Sequence, residues 1–263
     1  MTVAANPRHV SALVPWLLPL LLLAVWQAAA SAGWLSSRIL PSPVEVARAA
    51  YHLARTGELF EHMSISFARA AAGFALGGAI GFLLGLLNGM SPGASRLLDS
   101  SLQMIRNVPH LALIPLVILW FGIDESAKLF LVALGVFFPI YLNTYHGVRT
   151  VDEGLIEMGR VYGLGPAALF RQVIFPGALP SILVGVRYAL GITWLTLIVA
   201  ETISASSGIG YMTMNAREFL QTDVVVLGIL IYALLGKAAD LATLALERRC
   251  LAWHPAFQVK AAP

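Results

Sequence analysis

RTVDEGLIEMGRVYGLGPAALFRQVIFP, residues 149–176, is a polar island between two strongly apolar stretches, and it holds three arginines together with Asp152, Glu153 and Glu157. Thr150 and Glu153 have the spacing of a capping box, which predicts a helix start there. Gly163-Leu164-Gly165-Pro166 breaks that helix, because glycine permits positive φ and proline restricts the residue before it. Pro166 suits the first turn of a second short helix, and Pro176 is expected to close it as the next apolar run begins. Two short helices joined by a glycine turn, set between membrane spans, have the outline of a docking element.

The surrounding chain fixes the class. Of 263 residues, 58% are hydrophobic and only 12% charged, with mean hydropathy +0.78. A soluble domain carries about twice that charge, so repeated apolar runs make this an all-α polytopic membrane protein. The formal net charge of +3 gives no support for nucleic-acid binding. A single cysteine, Cys250, excludes an internal disulfide and any multi-cysteine metal site.

Six spans are expected, at about 14–30, 65–89, 97–122, 127–147, 178–200 and 224–246, within one transmembrane domain covering 1–263. The first run has a small-residue stretch at Ala30-Ser31-Ala32 that resembles a signal-peptide cleavage site. Its weakly basic start, with Arg8 as the charged residue, and the spans that follow favour an uncleaved helix. Between the first two spans, Pro41-Ser42-Pro43 makes a rigid turn, and Ser42 is placed to cap a short interfacial helix through Glu45 to Arg55. The third span is interrupted by Pro109 and Pro115. Within the second, Gly73, Gly77, Gly81, Gly85 and Gly89 recur every fourth residue, a stripe about 24 Å long on one helix face. Such a stripe lets a neighbouring helix approach closely.

Orientation follows from Lys and Arg. A cytoplasmic N-terminus puts Arg8, Arg96, Arg149, Arg160, Arg171, Arg248, Arg249 and Lys260 inside, against Arg38, Arg48, Arg55, Lys128 and Arg217 outside. That bias is in the expected direction. It makes both termini cytoplasmic and places residues 149–176 in the cytoplasm.

Glu157-Met158-Gly159, Gly163 after three further residues, and Val173-Ile174-Phe175-Pro176 after nine more resemble the EAA loop of ATP-binding cassette (ABC) import permeases. In that loop Glu-Ala-Ala, Gly and Ile-x-Leu-Pro stand at the same spacing. Met158 and Gly159 replace the alanines, Val173 the isoleucine and Phe175 the leucine, all small or apolar. The likeness covers nearly the whole chain. Arg106–Lys128 and Asn215–Val226 look like the aliphatic sulfonate permeases in particular, and permeases for taurine, nitrate and thiamine-precursor pyrimidines share the pattern less closely.

The resemblance implies a bacterial inner-membrane homodimer with two cytoplasmic ATPase subunits and a periplasmic substrate-binding protein. It implies that the Glu157 helix sits in a cleft of the ATPase, with Leu155, Met158 and Tyr162 as an apolar ridge and Gly163 as the turn. The chain has no G-x-x-x-x-G-K-[ST] phosphate loop. Gly236-Lys237-Ala238 lies inside an apolar run and lacks the rest of that pattern, so ATP is expected to act through a partner and no cofactor is expected on this chain.

Charges inside spans are functional candidates by default, although helix ends allow long side chains to reach the interface. Arg69 and Arg106 are read as such end residues. Arg187 and Lys237 lie deeper, at similar depth in the fifth and sixth spans, and Asp240 is placed to neutralise either. Either Asp240 ties the two spans together, or a cationic excess near the midplane eases the passage of a sulfonate. Glu201 is expected at the outer mouth of the same path. His110 and His146 form no recognisable metal pair, and no nucleophile–base grouping suggests an enzyme. The alternatives are a permease for taurine, nitrate or another small anion, and an ion-coupled secondary transporter.

Overall fold

The glycine-rich helix and the two that pack on it form the centre of the protein. The computed structural model describes residues 7–253, with side-chain surroundings from residue 17 onward apart from Ser204. The extreme termini and Lys260 lie outside the described residues, as does the side chain of Arg8. Among the described residues all regular structure is helical: α1 Pro7–Ser31, α2 Pro43–Thr56, α3 Glu58–Met90, α4 Pro92–Arg106, α5 Ile114–Phe121 behind a 3-10 turn at His110–Leu113, and α6 Glu125–Arg149. Then come α7 Glu153–Val161, α8 Pro166–Leu169, a π-helical turn at Phe170–Ile174, α9 Phe175–Ser204, α10 Ile209–Glu218 and α11 Thr222–Cys250.

Four helical stretches are long and apolar enough to cross a membrane: α3, α6, Pro166–Ile203 and α11. A fifth crossing results if α4 and the helix through His110–Phe121, bent by 79°, form one broken span. The apolar part of α1, Leu17–Ser31, is shorter. The break falls at Asn107–Pro109, where proline lacks an N–H and pushes Val108 out of the helical region. Pro115 breaks nothing, because it falls in the first turn of α5, where its missing donor has no partner to lose.

On α3, the face bearing Gly73, Gly77, Gly81, Gly85 and Gly89 lies directly against α6. A methyl group added at Gly73 would sit 2.6 Å from the Val132 Cγ1, at Gly81 2.5 Å from the Phe137 carbonyl, and at Gly85 2.7 Å from the Thr144 Cβ. At Gly77 it would meet the Ala133 carbonyl itself. Here backbone lies on backbone, and a side chain of any size would force the helices apart. α6 meets α9 in the same way through Gly135, Gly147 and Gly185, with the Ser181 hydroxyl donating to the Asn143 carbonyl at 2.7 Å. Those three glycines follow no four-residue run, and the sequence did not single them out. Val132, Val136, Ile140, Ala189 and Leu197 fill the core between the three helices. On the far side, α2, α10 and α11 share a second cluster around Val46, Ile209, Met212, Leu227 and Ile231.

α2 begins at Ser42, whose hydroxyl accepts from the Glu45 N–H at 3.2 Å while the Glu45 carboxylate accepts from the Ser42 N–H at 2.6 Å. These bonds to Ser42 hold the Glu45 carboxyl below its ordinary value. At its other end Gly57, at φ 88, turns the chain into α3.

Candidate coupling and translocation sites

The polar island folds as two short helices on the ends of α6 and α9. α7 starts one residue after Asp152, whose carboxylate accepts from the Gly154 N–H at 2.7 Å. Thr150 makes no capping box with Glu153. Its hydroxyl turns back to the His146 carbonyl at 2.9 Å, because α6 runs through Arg149 and Thr150 closes that helix instead of opening the next. Asp152 is the stronger cap and sits where the new helix begins.

α7 ends in a Schellman turn. Gly163 has φ +81, its N–H donates to the Arg160 carbonyl at 2.9 Å, and the Leu164 N–H donates to the Gly159 carbonyl at 3.0 Å. Gly159 is buried where the two short helices meet, and an added methyl would lie 2.7 Å from the Leu169 Cδ1 and 3.3 Å from the Leu164 Cδ1. The inner side of the element, with Val151, Ile156, Val173 and Ile174, joins Val148, Ala178 and Ile182 in one cluster. The outer side is left open: Leu155 and Met158 are half exposed, Tyr162 is 80% exposed, and Glu157 is exposed further round the same helix. The element thus has a buried seat, an exposed apolar ridge and an exposed carboxylate beside it.

Pro176 does not close the second short helix. Pro166 opens it, and the helix then runs unbroken into α9 through the π turn, so that Pro166–Ile203 is one continuous stretch of 38 residues. The Phe175 N–H reaches back to the Phe170 carbonyl. The wider ring accommodates Pro176, which falls in the first turn of α9 and has no N–H to give.

At the opposite ends of α6 and α9 is a buried ionic network. The Arg69 guanidinium contacts Glu125 at 2.5 Å and Glu201 at 2.8 Å. It also donates to the Ser207 carbonyl at 2.6 Å. Glu201, 1% exposed, accepts further from the Ser66 hydroxyl at 2.8 Å, the Gly210 N–H at 2.9 Å and the Tyr232 hydroxyl at 3.2 Å. Lys128, also buried, reaches Glu125 at 3.0 Å. The loop from α9 to α10 is stitched onto α3 by these bonds, together with Gly208 N–H to His62 at 3.1 Å. Two expectations change here. Arg69, though near a span end, does not reach for the interface, since it is 5% exposed and doubly paired. Glu201 lines no open mouth, because its carboxylate is enclosed and fully committed. Equal depth near the same end of three spans is the one sequence signal that could unite Arg69, Glu125 and Glu201.

Arg187 ties α9 to α11. It lies 3.3 Å from Asp240 and 3.2 Å from Glu247. Lys237 is 3.5 Å from Asp240. The cluster therefore pairs two cations with two carboxylates, Glu247 being the member the sequence reading omitted. Among the described residues no group of three or more His, Cys, Asp or Glu is placed to hold a metal ion. His110 instead sits 3.0 Å from the Thr196 hydroxyl.

The structure is thus a bundle of membrane-crossing helices with an open, acid-bearing helix–turn–helix at one end. The chain belongs to the family described as the binding-protein-dependent transport system inner membrane component, which matches residues 77–251. It is similar to the putative aliphatic sulfonates transport permease protein SsuC of Escherichia coli (strain K12), with 67% identity over 94% of each chain. The protein of the same name from Bacillus subtilis (strain 168) is 48% identical over 92% of this chain and 88% of its own. The taurine transport system permease protein TauC of Escherichia coli (strain K12) is 34% identical over 98% of this chain and 100% of its own. In fold the chain resembles an amino acid ABC transporter solved with histidines, at TM-score 0.62 and 18% identity over 76% of this chain and 97% of that one. The protein is accordingly a multi-pass inner-membrane component of an ABC importer.

Proposed function

We propose that the chain is the permease subunit for aliphatic sulfonates, that it works as a homodimer, and that ATP hydrolysis in two partner subunits drives it while a periplasmic binding protein delivers the substrate. The similarity to aliphatic sulfonates permeases over nearly the whole chain supports the substrate class. The observation that carries the coupling role is the face of α7. Glu157, Leu155, Met158 and Tyr162 are exposed together on an element whose other side is anchored in the bundle, which fits a partner surface that must be gripped and moved. In this reading Glu157, Met158, Gly159, Gly163 and Pro176 form the coupling loop, and ATP is bound by the partner, with no cofactor on this chain. The loop faces the cytoplasm, both termini are cytoplasmic, and α1 joins the bent pair to make six spans.

Within the bundle, Arg187, Asp240 and Lys237 serve first to hold α9 and α11 together, and Glu201 to hold the outer loop. The taurine reading is the second one, favoured by the end-to-end match to a taurine permease. Uptake of a labelled alkanesulfonate and of labelled taurine is measured in vesicles carrying this chain with its ATPase and binding protein. Sulfonate uptake that stops when the ATPase is left out supports the proposal. Uptake that continues on an ion gradient overturns it, and preferential taurine uptake moves the substrate assignment.

A further inference from the structure

The break between α4 and the His110 turn lies deep in the membrane. Ile105 and Leu102 line one apolar groove with Leu76, Gly77 and Ile80 of α3. Leu76 is fourteen positions from the end of α3 and Arg106 fourteen from the start of α4, so each is about 21 Å from the turn that joins them. From the other side, His110 meets Thr196 at 3.0 Å, and Thr196 is eight positions from the end of α9, about 12 Å. An apolar core about 30 Å thick therefore has Arg106–Pro109 in its interior.

This places a charged residue and irregular backbone where neither is expected. Arg106, Asn107, Val108 and Pro109 are all exposed, and no backbone hydrogen bond from the described residues reaches the Asn107 or Val108 carbonyl. Arg69, Lys128, Arg187 and Lys237 each have a carboxylate within 3.5 Å. Among the described residues Arg106 has none. Its expected account as an end residue reaching for the interface therefore fails, since the break holds it far from either end. Non-helical backbone at membrane depth is tolerated where it is enclosed by protein or faces water, and an unpaired cation there needs water or an anion. The broken spans of transporters show the same logic.

Building on the import reading, we infer that the Arg106–Pro109 break lines the aqueous path and that the Arg106 guanidinium is the contact for the anionic headgroup of the passing substrate. An unpaired guanidinium offers a sulfonate-type oxyanion two parallel N–H donors. Because no carboxylate among the described residues neutralises it, the site attracts anions while the water around it keeps the contact weak enough to release them. Selection at Arg106 is for charge and headgroup and not for the alkyl chain.

The test uses thiol labelling of the assembled transporter, with Cys250→Ser removing the native thiol. Asn107→Cys is exposed to a sulfonatoethyl thiosulfonate, itself an alkanesulfonate, and to its trimethylammonium counterpart, on both membrane faces, without nucleotide and with ATP. Val108→Cys is the second probe should the first variant fold poorly, and Val161→Cys on the open face of α7 is the positive control. Labelling at 107 or 108 is expected in at least one nucleotide state. The ratio of anionic to cationic rates is expected to fall about tenfold when Arg106→Gln is added. No labelling in either state while residue 161 reacts means that the break faces lipid or protein and overturns the proposal. Labelling with a ratio unchanged by Arg106→Gln removes Arg106 from the path. A chain that fails to associate with an ATPase refutes the import reading separately, since the labelling is read without any transport assay.

Discussion

The Arg69 guanidinium and the Glu201 carboxylate meet at 2.8 Å with neither side chain more than 5% exposed, across 132 residues of sequence. Desolvating two charges is costly, and their attraction offsets that cost only because Ser66, Ser207, Gly210 and Tyr232 satisfy the remaining groups. Removing one partner leaves the other buried and unneutralised. Arg69→Gln is expected to lower stability by about 3–5 kcal/mol, read as thermal unfolding in detergent. Adding Glu201→Gln is expected to recover part of the loss, with a coupling of about 0.5–3 kcal/mol between the two sites. Strict additivity would contradict the pairing.

The α3–α6 contact predicts a graded response to added volume. Gly77→Ala and Gly81→Val place atoms against the α6 backbone, and each is expected to cost about 1–3 kcal/mol as overpacking. Gly236→Ala in α11 meets nothing within 4 Å and is expected to be neutral or slightly stabilising through helix propensity. Equal melting temperatures for Gly77→Ala and Gly236→Ala would argue against the close approach.

At Gly163 the argument is backbone conformation and not space, since an added Cβ there has nothing within 4 Å while φ is +81. Gly163→Val is expected to destabilise the turn by about 1–2 kcal/mol, and Gly163→Asn by less, because asparagine tolerates the left-handed region. With ATPase present, uptake is expected to fall in the order Gly, Asn, Val. Gly163→Pro, which fixes φ near −65°, is expected to abolish it. Full coupling in the proline variant would remove the loop from the mechanism.

Outside the spans, the α2 capping box makes one pH-dependent prediction. Glu45 is held below its ordinary value by bonds from Ser42, so its folded pKa lies below its unfolded one. Its contribution is therefore present above the unfolded value of about 4.5 and is lost as pH falls through the lower folded value. Hydrogen exchange in the first turn of α2 is expected to be slow near neutrality and to gain protection loss only under acid. Glu45→Gln and Ser42→Ala are expected to flatten that dependence.

Local patterns were legible and distant partnerships were not. Ser42 with Glu45, Pro166 at a helix start and Gly163 at a helix end each act within a few residues, so their chemistry can be read from spacing. The glycine stripe of α3 was equally visible because its period matches the helix. The partners of Arg69 lie 56 and 132 residues away, and no spacing rule connects them, so a doubly paired arginine was read as a helix-end residue. Thr150 misled for a related reason: it has capping geometry in sequence, yet the preceding helix runs through it and Asp152 takes the role. Pro176 reads as a stop because proline inside a helix removes a hydrogen bond and clashes with the preceding turn, and a π turn is not visible in a pattern of residue types.

That π turn has a mechanical consequence. Because the helix from Pro166 passes through it without interruption to Ile203, the seat of the α7 face and the carboxylate of Glu201 are mounted on a single rod about 55 Å long. In the proposed coupling, the ionic network around Arg69 is the latch at the far end of that rod, and a push on the α7 face is what it would have to yield to.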